Sequence, residues 1–142
     1  MEPKQNLKPG ALPDLLGYRL RLAQQAVFRD FAASVQGLSP GRVGLLIYID
    51  ANPGVTQSRL AEAAERDRST MVGVLDQLEA RGLIERRRGA DRRTNGLWLT
   101  RPGRTLLARA LRDIARHEQR IAARLSAAER RLLLALLGKI SH

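Results

Sequence analysis

Cysteine is absent from this chain, which excludes disulfides, thiol redox sensing and thiolate metal sites together. Histidine is almost as scarce. Only His117 and His142 occur, with no HxxxH or HxxE spacing, so a metal centre would have to be built almost wholly from carboxylates and none is expected. Aromatic residues form 4% of the sequence, too few for the stacking platforms of single-strand binders. No apolar run approaches the length, about 20 residues, that a membrane-spanning helix needs. The segment from Met1 to Pro13 is polar and broken by Pro3, Pro9, Gly10 and Pro13, which fits neither a signal peptide nor a membrane anchor. The expected location is the cytoplasm. Also missing are a glycine-rich phosphate loop, a nucleophile elbow and a paired histidine and carboxylate at a strand end. Ser69 and His117 lie in different predicted helices with no third group to orient them. No enzyme and no catalytic residue are expected.

What is present is charge and a core. The 142 residues are 44% hydrophobic, enough for one folding unit over 1–142 and too few for two comfortable ones. Lys and Arg number 25 against 14 Asp and Glu, a formal net charge of +11. That balance favours a polyanionic partner, nucleic acid or an anionic membrane surface.

The periodicity then orders the chain. From Leu12, residues Leu16, Leu20, Ala23, Val27 and Phe31 recur every three or four positions, predicting one long amphipathic helix that ends near Gly37. Ser39-Pro40 supplies an N-cap with proline at the first helical position, opening a second helix through Leu45, Leu46 and Ile49. Asn52-Pro53-Gly54 breaks it, and Thr56 caps a short third helix carrying Leu60, Ala61 and Ala64. After a turn, Asp67 caps a fourth that runs to Arg81, with Met71, Val74, Leu75 and Leu78 on one face and Gly82 as its stop.

Past Gly82 the pattern changes to strands. Leu83-Ile84-Glu85-Arg86 and Leu97-Trp98-Leu99-Thr100 flank the basic stretch Arg87 to Asn95, predicting a hairpin. Its tip is expected at Gly89-Ala90-Asp91 rather than at Asn95-Gly96, which would leave three charges and a glycine in the preceding strand. Thr100, with Pro102 just inside, starts a fifth helix striped by Leu107, Leu111, Ile114, Ile121 and Leu125. Ser126-Ala-Ala-Glu129 is a capping box for a last helix carrying Leu132, Leu133, Leu136, Leu137 and Ile140.

A helix-turn-helix followed by a basic hairpin makes mechanical sense for duplex DNA. A helix presented N-terminus first to the major groove needs short polar side chains that reach base edges, held by apolar residues behind. Arg68, Ser69, Thr70, Val72, Gly73 and Gln77 lie opposite Met71, Leu75 and Leu78 and are the candidate readers. Ser69 and Thr70 suit phosphate or base, Val72 a thymine methyl, and Gln77 either base or phosphate. Gly73 costs the helix roughly 1 kcal/mol relative to alanine; close approach to DNA and tight helix packing are both open explanations. The hairpin contributes Arg86, Arg87, Arg88, Arg92 and Arg93, cations suited to a narrow minor groove. Asp91 beside them pairs with a neighbouring arginine to hold the tip in shape.

The ordered set Thr56-Gln-Ser-Arg-Leu-Ala-Glu, Asp67-Arg-Ser-Thr-Met-Val, Leu78-Glu-Ala-Arg-Gly-Leu-Ile, Asp91-Arg-Arg and Leu99-Thr-Arg-Pro-Gly103 resembles the MarR family of bacterial regulators. The resemblance implies a mainly α fold with a small β-hairpin wing: a winged helix-turn-helix over 38–103, dimerised through helices in 12–36 and 104–142. It implies a homodimer on a pseudo-palindromic operator, repressing transcription until a small molecule binds. The family often carries a larger polar or basic residue where this chain has Gly73. The missing cysteine excludes its peroxide-sensing branch.

Dimerisation also follows from physics. One recognition helix reads few base pairs, and specific affinity needs two half-sites about 34–36 Å apart, fixed by protein symmetry. Leu12, Leu16, Leu133, Leu136, Leu137 and Ile140 are the candidate dimer residues, the alternative being that they fill the monomer's own core. The resemblance further implies an effector such as an aromatic or phenolic acid, or a derivative of one, in a crevice between the dimer helices and the DNA-binding lobe. Tyr18, Arg19, Leu22, Tyr48 and Arg116 are candidate lining residues. No other cofactor is expected. The rival reading is a sequence-independent architectural DNA- or RNA-binding protein, which would show equal affinity for specific and scrambled duplexes. A basic membrane-surface protein is disfavoured because the charge clusters on a hairpin rather than along one helix face.

Overall fold

The computed structural model describes residues 7–88 and 95–141. The element order is α1 (Leu16–Ser34), α2 (Pro40–Ala51), β1 (Val55–Thr56), α3 (Gln57–Ala63), α4 (Arg68–Ala80), β2 (Ile84–Arg88), β3 (Asn95–Leu99), α5 (Arg101–Ile121) and α6 (Ala127–Ile140). Before α1 a single 3-10 turn covers Leu12–Asp14. The predicted first helix is therefore interrupted. Leu15 adopts an extended conformation (φ −91°, ψ 124°) between the two pieces, and Pro13 stands within the 3-10 turn.

The caps form where their side chains allow. Ser39, Thr56, Asp67, Thr100 and Ser126 each accept a hydrogen bond from the backbone N–H three residues on, and Glu129 completes the capping box by accepting from Ser126 N at 2.9 Å. α4 stops at Gly82, whose φ of +72° lets Gly82 N and Leu83 N turn back to Glu79 O and Leu78 O. The same closure ends α3 without a glycine. Arg66 N donates to Ala61 O and Glu65 N to Glu62 O, while Glu65 itself takes φ +52°, a conformation strained for a side-chain-bearing residue.

The sheet has three antiparallel strands in the order β1-β3-β2. The hairpin pairs Ile84 with Leu99, Arg86 with Leu97 and Arg88 with Asn95. Both strands are thus longer at the tip than predicted, and Arg87, Arg88, Asn95 and Gly96 are strand residues. The expected tip at Gly89-Ala90-Asp91 lies outside the described residues. The short strand β1, paired through Val55 with Leu97, carried no alternation by which a two-residue strand could be recognised.

One core unites these elements. Leu45, Leu46 and Ile49 of α2, Leu60 of α3, Met71, Leu75 and Leu78 of α4, and Ile84 and Leu97 of the sheet are all fully buried, with Phe31 of α1 and Leu107 of α5 closing the cluster. α6 stands apart, burying none of its residues. None of the described helices is long and apolar enough to cross a membrane.

Candidate nucleic-acid interface

α4 is held as a presented rod. Its buried face is Met71, Leu75 and Leu78, so Arg68, Ser69, Thr70, Val72, Gly73 and Gln77 are left toward solvent, Val72 being 41% exposed despite its apolar side chain. At its start, Asp67 accepts from Thr70 N at 2.7 Å, Ser69 Oγ at 2.8 Å and Thr70 Oγ1 at 3.0 Å. These bonds, the Thr70 amide first, hold the Asp67 carboxyl below its usual range. The Ser69 and Thr70 hydroxyls therefore spend their protons on the cap, and acceptor lone pairs are what they retain for a ligand. Gln77 accepts from Arg42 Nη2, which ties the far end of α4 to the start of α2. Arg81 Nη1 makes a second tie, donating to Gly37 O at 2.8 Å. A Cβ built on Gly73 would meet nothing within 4 Å, so packing inside this chain does not require glycine there.

The wing's arginines divide by strand alternation. Arg86 turns back to α4, where Nη2 lies 2.8 Å from Asp76 Oδ1 and Nη1 3.0 Å from Glu79 Oε1. Its side chain is only 19% exposed, and Gln57 Oε1 of α3 lies 3.5 Å from the same Nη2. Arg86 thus clamps the hairpin to the helix-turn-helix, a role that the reading of all wing arginines as groove contacts did not anticipate. Arg87, 59% exposed, contacts Glu85 and stacks on Trp98. Arg88 is exposed. Asp91, Arg92 and Arg93 lie outside the described residues.

The Leu-Thr-x-x-Gly stretch has a mechanical explanation. Thr100 caps α5 through Gly103 N at 3.0 Å and donates its own hydroxyl to Gly82 O at 2.5 Å, while its backbone N–H bonds to Leu83 O. A Cβ on Gly103 would collide with the Leu83 carbonyl. Only glycine lets α5 start pressed against the end of α4, and this fixes the wing between them.

Comparison with known proteins matches the same features. The model of the MarR family fits residues 36–94. A transcriptional regulatory protein for the hcr operon of Thauera aromatica is 44% identical over 135 residues, covering 92% of this chain and 81% of the relative. The chain belongs to the MarR family of transcriptional regulators. Among solved structures, the transcriptional repressor CouR bound to a 23-mer DNA duplex superposes with a TM-score of 0.92 at 43% identity, covering 96% of this chain and 99% of that one. CouR bound to p-coumaroyl-CoA gives 0.85 at 40% identity, covering 96% and 98%. The winged helix-turn-helix inferred from the sequence is the fold of this MarR-family protein.

The remaining candidates are distributed differently. Tyr48 borders a cleft of about 430 Å³ with Gly41, Gly44, Ala63 and Arg66, its hydroxyl donating to Ala63 O at 3.3 Å. Arg116 borders a different one of about 330 Å³ with Asp30, Ser34, Asp113 and Arg120. Arg19 Nε donates to Pro13 O at 2.8 Å, Tyr18 is covered by Arg21, and Leu22 is 39% exposed. Among the described residues, Tyr48 and Arg116 therefore border different clefts of the single chain. Of the dimer candidates, Leu12, Leu16, Leu133, Leu136 and Ile140 are exposed and Leu137 half-buried. Sequence reasoning missed Arg42, Arg66, Trp98 and the buried His117, whose roles depend on residues distant in the chain. Only Trp98 carried a signal, as a large aromatic between two strand leucines.

Proposed function

We propose that this chain is a ligand-released repressor, binding a pseudo-palindromic operator in double-stranded DNA as a homodimer. The observation that carries this reading is the solvent-directed, apolar-backed face of α4 clamped through Arg86 to a basic wing, in a fold that superposes at 0.92 on CouR bound to duplex DNA. In this reading Arg68, Ser69, Thr70, Val72 and Gly73 face the major groove, and Arg87, Arg88, Arg92 and Arg93 serve the wing. The exposed leucines of α6 and of the segment from Leu12 to Leu16 form the surface that joins two copies, since an apolar patch of that extent is rarely left to water.

The effector is an aromatic acid or its coenzyme A thioester. A phenol and a guanidinium, Tyr48 and Arg66, stand on a cleft floored by two glycines between α2 and the α3–α4 turn, a combination suited to an aromatic anion. CouR, similar over almost the full chain, is the relative bound to p-coumaroyl-CoA. Release requires the effector to favour a dimer whose two α4 helices are wrongly spaced for the operator.

The test is selection of genomic fragments on the purified protein, followed by titration of the bound duplex with p-coumaroyl-CoA and with free p-coumarate. Enrichment of a two-fold-symmetric site and release by one of the two compounds is the expected result. A monomer with equal affinity for selected and scrambled duplexes would overturn the reading.

A further inference from the structure

The outer face of the wing carries a layered arrangement around the chain's single tryptophan. The indole of Trp98 lies over the backbone of two glycines. A Cβ at Gly54 would stand 3.0 Å from its Cζ2, and one at Gly96 would stand 2.6 Å from both Cη2 and Cζ3. Gly54 reaches its position with φ +85°, so this floor needs glycine twice over. In the strand register Arg87 faces Gly96, which offers it no side chain, and Trp98 faces Glu85. Arg87 therefore reaches diagonally, and its guanidinium carbon sits 5.0 Å from the Trp98 ring centroid.

The setting of Arg86 is more enclosed and more fully paired. Carboxylates hold Arg86 by consuming its N–H donors, and its side chain is largely covered. An aromatic face holds a guanidinium by its plane and leaves the donors at the rim available. Arg87 is 59% exposed and gives Nη2 to Glu85, one carboxylate among the described residues where Arg86 meets two, so its remaining N–H groups face solvent. A phosphate fits those remaining donors as a charged acceptor.

We propose that Trp98 is a positioning residue for DNA binding, whose indole, seated on Gly54 and Gly96, holds Arg87 ready to take a duplex phosphate. The inference rests on the reading of this chain as an operator-binding protein. It adds a residue outside the recognition helix and the arginine run, and it gives the two glycines a common purpose.

The experiment uses the full-length protein and a fluorescently labelled duplex recovered by in-vitro selection, titrated between about 50 and 200 mM salt. Arg87→Ala and Trp98→Leu should each weaken binding about fivefold. The Arg87 variant should also lower the slope of log affinity against log salt by about one, the loss of one phosphate contact. The double variant should bind no more weakly than Arg87→Ala alone, and Trp98→Phe should stay within about twofold of wild type. If Trp98→Leu does not fold, the tryptophan itself reports: its emission should shift on duplex binding in wild type and shift much less in Arg87→Ala. Wild-type affinity and slope in Arg87→Ala, losses that multiply in the double variant, or an undiminished emission response would each overturn the inference alone, leaving Trp98 as a cover for Gly96. A wild-type chain that enriches no duplex would overturn the operator reading and this inference with it.

Discussion

His117 Nδ1 donates to Asp30 Oδ1 across 2.7 Å, joining α5 to α1 at a point where the imidazole is buried and the carboxylate only partly so. Arg120 grips the same carboxylate with Nε and Nη2, both at 3.1 Å, and Ser34 Oγ donates to it at 3.0 Å. Phe31 meets the imidazole edge-on, with ring centroids 5.4 Å apart. The pair ties the C-terminal part of α1 to that of α5, and a buried imidazole without that acceptor would be costly.

This network is expected to make stability fall in acid. Arg120 first, then His117, hold the Asp30 carboxyl well below its ordinary value of 3.8. A carboxyl depressed in the folded state contributes stability that is fully present above the unfolded pKa and lost as pH falls through the folded one. Thermal melts should therefore drop as pH goes below about 4, and Asp30→Asn should melt lower at neutral pH with a flatter acid limb. A wild-type acid limb in Asp30→Asn would show that the carboxylate is not linked to folding. His117→Ala, which empties a buried site, should lose about 2–4 kcal/mol.

Local rules made the helices legible, because each cap needs only a side chain and an amide three residues away. Ser39, Thr56, Asp67, Thr100 and Ser126 all cap the helices their sequences announce. The division of labour in the wing was not legible in the same way. Reading Arg86 to Arg88 as one basic stretch hid the period of two, by which adjacent strand residues must face opposite sides. Asp76 and Glu79, the partners that decide Arg86's side, sit 10 and 7 residues earlier on another element. The Asp30–His117 pair spans 87 residues, beyond any periodic signal. The break at Leu15 was missed because the apolar period continues across it, although Pro13 had marked the place.

Arg86 and the arginines proposed to face the groove should separate by their salt response. Arg86→Lys removes the fork that spans Asp76 and Glu79, and should cost about 1–2 kcal/mol of stability. Operator affinity should fall because the wing is no longer fixed to α4, yet the salt slope should stay at the wild-type value. A slope lower by about one would instead make Arg86 a phosphate contact.

Gly73 and Gly103 should respond in opposite ways to the same methyl group. Nothing lies within 4 Å of a Cβ at Gly73, so Gly73→Ala should raise stability by about 0.5–1 kcal/mol. If the α4 backbone approaches DNA there, the stabler variant should bind the operator at least tenfold more weakly. Unchanged affinity with a higher melting temperature would place position 73 away from the duplex. Gly103→Ala drives a Cβ into the Leu83 carbonyl and should lose about 2 kcal/mol or more in a chemical denaturation experiment.

Leu136 tests whether two copies are needed. α6 buries no residue within one chain, and Leu132, Leu133, Leu134, Leu136 and Ile140 are 43–59% exposed along it. A charge at Leu136 therefore costs the isolated chain little, since its surroundings are already solvent. In an interface it would leave a carboxylate buried without a partner. Leu136→Glu should sediment as a monomer at concentrations where wild type sediments as a dimer, with far-ultraviolet circular dichroism retained for α1 to α5. Its operator affinity should fall by about 100-fold or more, because each half-site would be held alone and the effective-concentration gain of a linked pair is lost. A variant that remains dimeric would move the subunit interface off α6, and a monomer that binds the full operator as tightly as wild type would remove symmetry from the mechanism.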